Sequence, residues 1–210
     1  MIKQNKKLLI LTSIITVLPI WAGLALWNQL PEQMPMHWNI TGEVDGWASK
    51  PMAVFGMPLL LLLVQWLGIF IMRNDPKRNN HAGKALYLGY WIIPVLSIVL
   101  EVLTCTAAMG YPVRVELFLT IFMGILFIII GNYLPKCRQN YTIGIKLPWT
   151  LHSEENWNRT HRLAGWIWVA GGFVILVSGF LNVLWLTIAA TALMVLIPVI
   201  YSLILHRKGI

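Results

Sequence analysis

Any chemistry in this chain has to come from a few polar residues set among apolar ones. The longest polar group is "NYTIGIKLPWTLHSEENWNRTH", residues 140–161, in which His152 and His161 follow Cys137. Zinc would need these three to converge, yet their spacing matches no paired-ligand pattern such as HExxH or CxxC. Ser153 and His161 are the residue types of a nucleophile and its base, but no elbow motif surrounds the serine. A second group, "LPEQMPMHWNITGEVDGWASKP" at residues 30–51, carries His37, Glu43 and Asp45, few ligands for a metal. Its "NIT" at 39–41 matches a glycosylation acceptor, a short pattern with a high chance rate. Glu101 stands alone in an apolar run, and intramembrane acids often belong to ion or proton paths. None of these groups spells a catalytic centre. The expectation is a protein that is not an enzyme and uses no cofactor or metal.

The elements that hold these groups follow from composition. The 210 residues are 58% hydrophobic and only 11% charged, where a soluble domain has roughly 25% charged residues. Runs of about 20 apolar residues suit a helix that must cross a hydrocarbon layer about 30 Å thick. Four such runs are Leu8 to Leu30, Met52 to Met72, Ala85 to Met109 and Val115 to Leu134. A fifth, Leu163 to Leu205, is twice the needed length and must fold back at Leu181-Asn182-Val183. The predicted fold is therefore an all-α membrane protein of six transmembrane helices. The Lys-rich start and first run read as an uncleaved signal anchor, since the run is too long for a signal h-region. Cys105 and Cys137 fall at different depths, which argues against a disulfide.

Positive charge is retained on the cytoplasmic side of short loops. With the N-terminus inside, all of the 16 lysines and arginines except Lys50 and Arg114 fall inside. Both termini are then cytoplasmic, residues 31–51 form an outer loop, and residues 140–161 lie in a long cytoplasmic loop between helices 4 and 5. The net charge of +8 belongs to this asymmetry and to anionic lipid headgroups, not to direct contact with nucleic acid.

In the outer loop, Met34, Met36, Trp38 and Ile40 alternate with Pro35, His37, Asn39 and Thr41, the period of a strand with one apolar face. Gly42 to Gly46 supplies turn chemistry, so a hairpin is expected, with Trp38 and Trp47 at headgroup depth. It is either an interfacial loop anchored by tryptophan or a strand edge to which an incoming peptide can add. In the inner loop, Ser153 followed by Glu154 and Glu155 reads as a helix N-cap with acids in the first turn. That helix carries Trp157, His161, Ala164 or Gly165, and Trp168 on one face and continues into the fifth span. Before it, Asn140, Gly144 and Pro148 predict irregular backbone over 135–150. The segment is either an aromatic and basic cuff at the inner interface or a docking surface for a cytoplasmic partner. Glu101 needs a partner such as Arg114 or Lys50, or a hydrated cavity, and keeps a small proton- or solute-coupled transporter open as an alternative. Gly165, Gly172 and Gly179, spaced by seven, predict a helix-packing seam.

"GNYLPKCRQNYTIGIKLPWTLHSEENWNRTHRLAG", Gly131 to Gly165, resembles the signature of the SdpI family of six-span bacterial membrane proteins. "MPMHWNITGEVDGWASKP" is similar to the uncharacterised N-terminal domain often joined to that signature. The inner match is carried by Gly131, Asn132, Asn140, Gly144, Pro148, Trp149, Thr150, Trp157 and Arg162. Family members commonly show Arg-Thr where this chain has Lys146-Leu147, so the charge survives and the bidentate fork does not. The resemblance implies a multi-pass protein of the bacterial cell membrane that protects against a secreted toxic peptide. It further implies capture of a cytoplasmic winged-helix repressor, for which the basic inner loops at 73–84 and 135–162 are the expected surface. Mapped onto this chain, the partner-binding candidates are Asn132, Asn140, Gly144, Lys146, Pro148, Trp149, Thr150, Trp157, His161 and Arg162. The toxin-sensing candidates are His37, Trp38, Gly42, Asp45, Trp47 and Lys50. Three parts are expected: a two-span unit at 1–72, the third and fourth spans at 73–134, and the signature loop with the last two spans at 135–210.

Overall fold

The structure, a computed structural model, describes residues 2–39, 41–80 and 84–210, with the backbone alone for residues 2–5, 84 and 85. Ile40 of the expected strand, residues 81–83 of the inner basic segment, and the Lys3 and Lys84 side chains lie outside the described residues. Among the described residues, six helical segments are long and apolar enough to cross a membrane: Lys6–Ala25, Met52–Arg73, Leu86–Ala108, Val115–Lys136, Glu154–Leu181 and Leu184–Arg207. The chain is a multi-pass helical membrane protein that divides into two compact units.

The first unit comprises Met1–Phe70 and Tyr87–Val115. Its first span is two helices, α1 (Ile2–Val17) and α2 (Pro19–Ala25), divided where Pro19 lacks the N–H that would continue the ladder. Residues 26–30 are turns rather than the end of a longer span, and Leu30 is buried. A π-helical turn, Met52–Gly56, leads into α3 (Met57–Arg73), while α4 (Lys84–Ala108) carries Pro94 in its interior. A polar ladder ties these helices together. The Thr16 hydroxyl donates to Gln65 Oε1 at 2.5 Å, Gln65 Nε2 donates to Thr12 Oγ1 at 2.8 Å, and Ser97 Oγ donates to the Thr16 carbonyl at 2.8 Å. With no water in the hydrocarbon, such groups must satisfy one another, each bond contributing about 0.6–2 kcal/mol.

Between α2 and α3 lies the expected hairpin, β1 (Gln33–Trp38) paired antiparallel with β2 (Val44–Ser49). Its turn is built by Asn39, whose Oδ1 accepts from the amides of Thr41 and Glu43 at 2.9 and 3.0 Å, with Gly42 at φ 83°. Met34 is fully buried among Leu30, Ala53, Val54 and Cys105, which docks the hairpin on the helices. The register shifts on either side of His37, so the strict alternation read from the sequence is broken by bulges.

The second unit comprises Ile71–Leu86 and Glu116–Ile210. Helices α5 (Val115–Tyr133), α6 (Pro148–His152), α7 (Glu154–Leu181) and α8 (Leu184–Arg207) dominate it. The α7–α8 turn falls where expected, with Asn182 in the left-handed conformation at φ 54°. Ile175, Ala190 and Met194 form a buried cluster, packed by Phe127, Ile167 and Trp168, and the Trp168 indole donates to the Met194 carbonyl at 2.9 Å.

The glycine seam pairs α7 with α5 so closely that backbone meets backbone. A Cβ on Gly172 would lie 2.7 Å from the Gly124 carbonyl oxygen and 2.9 Å from the Ile128 nitrogen. On Gly165 it would lie 2.5 Å from Pro135 and 2.8 Å from the Gly131 oxygen. Gly172→Ala is therefore expected to force the helices apart at a cost of about 1–3 kcal/mol, lowering the thermal midpoint of the solubilised protein. Gly68→Ala, inside α3 with nothing within 4 Å of its Cβ, is the control that does not lower the midpoint.

Candidate partner-binding site

Helix α7 has 28 residues, about 42 Å of rise against a hydrocarbon layer of about 30 Å. Its first two turns therefore reach past the membrane, and they carry the polar half of the 140–161 segment. Ser153 caps the helix as expected, its side chain accepting from the Asn156 amide at 3.1 Å, with Glu154 and Glu155 in the first turn.

The loop from Cys137 to Leu147 is folded over this protruding end. Trp157 is 0% exposed; its indole donates to the Cys137 carbonyl at 2.8 Å, and its ring stacks on His161 with centroids 4.0 Å apart. His161 Nδ1 donates to the Trp157 carbonyl at 2.8 Å, and Nε2 accepts from the Ile145 amide at 2.9 Å. Both ring nitrogens are consumed in holding the loop, the arrangement of a neutral imidazole, which leaves none for zinc or for activating Ser153. Gly144 passes directly over this pair at φ 119°, and a Cβ there would lie 2.4 Å from His161 Nε2.

The other buried polar residues complete the scaffold. Asn140 uses both ends of its amide: Nδ2 donates to the Arg138 and Ile143 carbonyls at 2.8 and 3.0 Å, and Oδ1 accepts from the Thr142 and Ile143 amides at 2.8 and 2.6 Å. The Thr150 hydroxyl accepts from the Leu147 amide at 2.9 Å and faces the Ile145 carbonyl, starting α6 behind Pro148. Trp149 turns the other way, donating to Ser202 Oγ at 2.7 Å on α8 and stacking on His206. Asn156 bonds the Ser202 carbonyl at 3.0 Å and accepts from the Ser202 hydroxyl at 2.7 Å, locking α7 to α8.

The ten inner candidates thus separate by placement. Asn140, Gly144, Thr150, Trp157 and His161 assemble the loop from inside and Trp149 fastens it to α8, whereas Asn132, Lys146, Pro148 and Arg162 face outward. Sequence reading missed Asp75, Gln139, Asn156 and Ser202, all of them buried. The one available signal was Asp75, an acid in a segment otherwise read only for its positive charge. Cys137 is buried, its Sγ 3.5 Å from the Tyr133 carbonyl, and burial pushes its thiol up, so thiol reagents reach it poorly from either side.

In the first unit the outer candidates stand apart from one another in character. His37 Nδ1 pairs with Asp45 Oδ1 at 2.5 Å on the exposed face, beside Trp47, which is 60% exposed; Trp38 is half-buried. Gly42 occupies the turn. Lys50 is buried instead: its ammonium pairs with Glu32 at 2.9 Å, donates to the Trp27 carbonyl at 3.3 Å and sits over the Trp27 ring. Lys50 therefore does not serve Glu101, whose carboxylate accepts from Cys105 Sγ at 3.4 Å and has room beside it because Gly23 lacks a Cβ.

Residues 136–202 match the SdpI/YfhL protein family, and residues 14–62 match a domain of unknown function, DUF1648. Over 194 residues, 92% of this chain and 92% of the relative, the sequence is 29% identical to immunity protein SdpI of Bacillus subtilis (strain 168). No solved structure matches the chain.

Proposed function

Because this chain carries an SdpI/YfhL domain behind a DUF1648 domain, we propose that it is an integral membrane immunity protein conferring resistance to a secreted antimicrobial peptide toxin. The observation that carries this reading is similarity to an immunity protein along nearly the whole of both chains, not at one motif. Lysine and arginine placement supports an orientation with both termini inside. The hairpin, with Trp47 and the His37–Asp45 pair exposed, is then the surface that meets toxin. The loop from Cys137 to Leu147 faces the cytoplasm, where its ordered backbone and outward Lys146 and Arg162 serve to hold a soluble repressor. The three parts of the sequence share the labour: 1–72 carries the sensing hairpin, 73–134 the third and fourth spans with the basic inner loop before them, and 135–210 the signature loop that docks.

Survival tests the proposal. Expression in a toxin-sensitive host raises the tolerated dose if the reading holds, and unchanged killing removes it. The second reading, a proton- or solute-coupled transporter, is favoured by one observation, the burial of Glu101 within a span. It requires flux in proteoliposomes that Glu101→Gln abolishes.

A further inference from the structure

Residues 75–80 lie outside both matched segments, in the short connection after α3. Within the second unit they grip the signature loop. Buried Asp75 accepts from the Lys77 amide at 2.7 Å through Oδ1, and through Oδ2 from the Tyr141 amide at 2.9 Å and the Thr142 hydroxyl at 2.5 Å. The Asn80 side chain donates to the Gln139 carbonyl at 2.6 Å, and the Lys77 ammonium reaches Gln139 Oε1 while lying 5.7 Å from the Tyr141 ring centroid. Gln139 passes the grip inward, donating to the Thr150 carbonyl at 2.8 Å. The result brings Lys77 and exposed Arg78 from one segment against exposed Arg138 and Tyr141 from the other.

We infer that the cytoplasmic docking surface is bipartite: Lys77, Arg78, Arg138 and Tyr141 form one basic and aromatic face for an acidic segment of a soluble protein, and Asp75 is the residue that positions it. This rests on the proposed docking role of the inner loop. Charge complementarity selects an acidic partner, since the acid within the clamp, Asp75, is buried and spent on the loop. Construction favours a protein over a lipid surface. Headgroups attract cations at a distance whatever their arrangement, so they need neither a carboxylate that fixes two backbone segments nor a lysine laid beside a tyrosine. An acidic peptide segment that contacts these side chains directly gains from both, because direct ion pairs depend on where each cation is held.

The two accounts differ in sign at Asp75. The test uses the full-length protein in phosphatidylcholine nanodiscs and a fluorescent glutamate–tyrosine copolymer as the acidic probe, at physiological ionic strength. Wild type is expected to bind, and Arg78→Glu with Arg138→Glu to weaken binding at least tenfold. Asp75→Ala removes a negative charge, yet it is expected to weaken binding by about tenfold because the loop loses its charged acceptor. Thr142→Val, which leaves the charge unchanged and removes a single bond to Asp75, is expected to shift binding in the same direction. Equal or tighter binding by Asp75→Ala and Thr142→Val overturns the inference, as does binding by wild type that begins only when phosphatidylglycerol is added to the discs. Survival in the sensitive host keeps the outcomes apart. Protection by wild type together with unweakened Asp75→Ala removes this inference alone, whereas failure of wild type to protect removes the immunity reading.

Discussion

Replacing Trp157 by alanine is expected to destabilise the protein by about 3–5 kcal/mol. The ring is fully buried where the signature loop folds over the end of α7, so its removal leaves a cavity and unstacks His161. It also strips the Cys137 carbonyl of its donor, the indole N–H at 2.8 Å. Trp157→Phe separates these contributions, keeping most of the ring and losing the bond, for about 1–3 kcal/mol. Trp166→Ala is the comparison: that side chain is 75% exposed on the same helix and is expected to change stability by less than about 0.5 kcal/mol. Thermal unfolding of the three solubilised variants measures the order. An equal effect at Trp157 and Trp166 would mean that the loop is not built on Trp157.

Gly144→Ala is expected to open the same loop by another route. At φ 119° an L-residue is strained by about 1–3 kcal/mol before any contact is considered. Its Cβ would then sit 2.4 Å from His161 Nε2 and 2.9 Å from Trp157 Cη2, displacing the imidazole that accepts from the Ile145 amide. Overpacking of this kind adds about 1–3 kcal/mol. The readout is local: tryptic cleavage after Arg138 and Lys146 speeds up, and the thermal midpoint falls. Unaltered cleavage would show that the loop has another way to pass the histidine.

Much of this architecture was legible in the sequence because membrane spans announce themselves by length, and their ends by a few strong local rules. Ser153 with two following acids marked a helix start, and Asn182 a reversal. Glycines spaced by seven on α7 marked a seam, although the facing glycines 124 and 131 on α5 were needed to make backbone meet backbone. The hairpin was readable from its period of two, but the paired bulges around His37 were not. They shift one strand and then the other, so the strand length betrays nothing. The Thr12, Thr16, Gln65 and Ser97 ladder was invisible because its members are scattered polar interruptions spread over three different spans. Partnership across helices leaves no periodic trace. The candidate site shows the same limit in another form. Trp157, Asn140, Thr150 and His161 looked as ready for a partner as Lys146 or Arg162. Composition cannot tell a polar residue that holds a loop from one that faces solvent when polar residues satisfy one another. Asp75 was passed over because its segment was read for its lysines and arginines alone, a count in which an acid that serves as an acceptor does not appear.

The central claim is that the hairpin at residues 33–49 faces the outside and the loop at residues 137–147 faces the cytoplasm. Buried Cys137 cannot report on this, so both native cysteines are replaced by serine and single cysteines are placed at exposed positions, Thr41→Cys and Lys146→Cys. With a membrane-impermeant maleimide, Thr41→Cys is predicted to label in intact cells and Lys146→Cys only after permeabilisation. Labelling of Lys146→Cys in intact cells, with Thr41→Cys protected, would invert the protein and contradict the account.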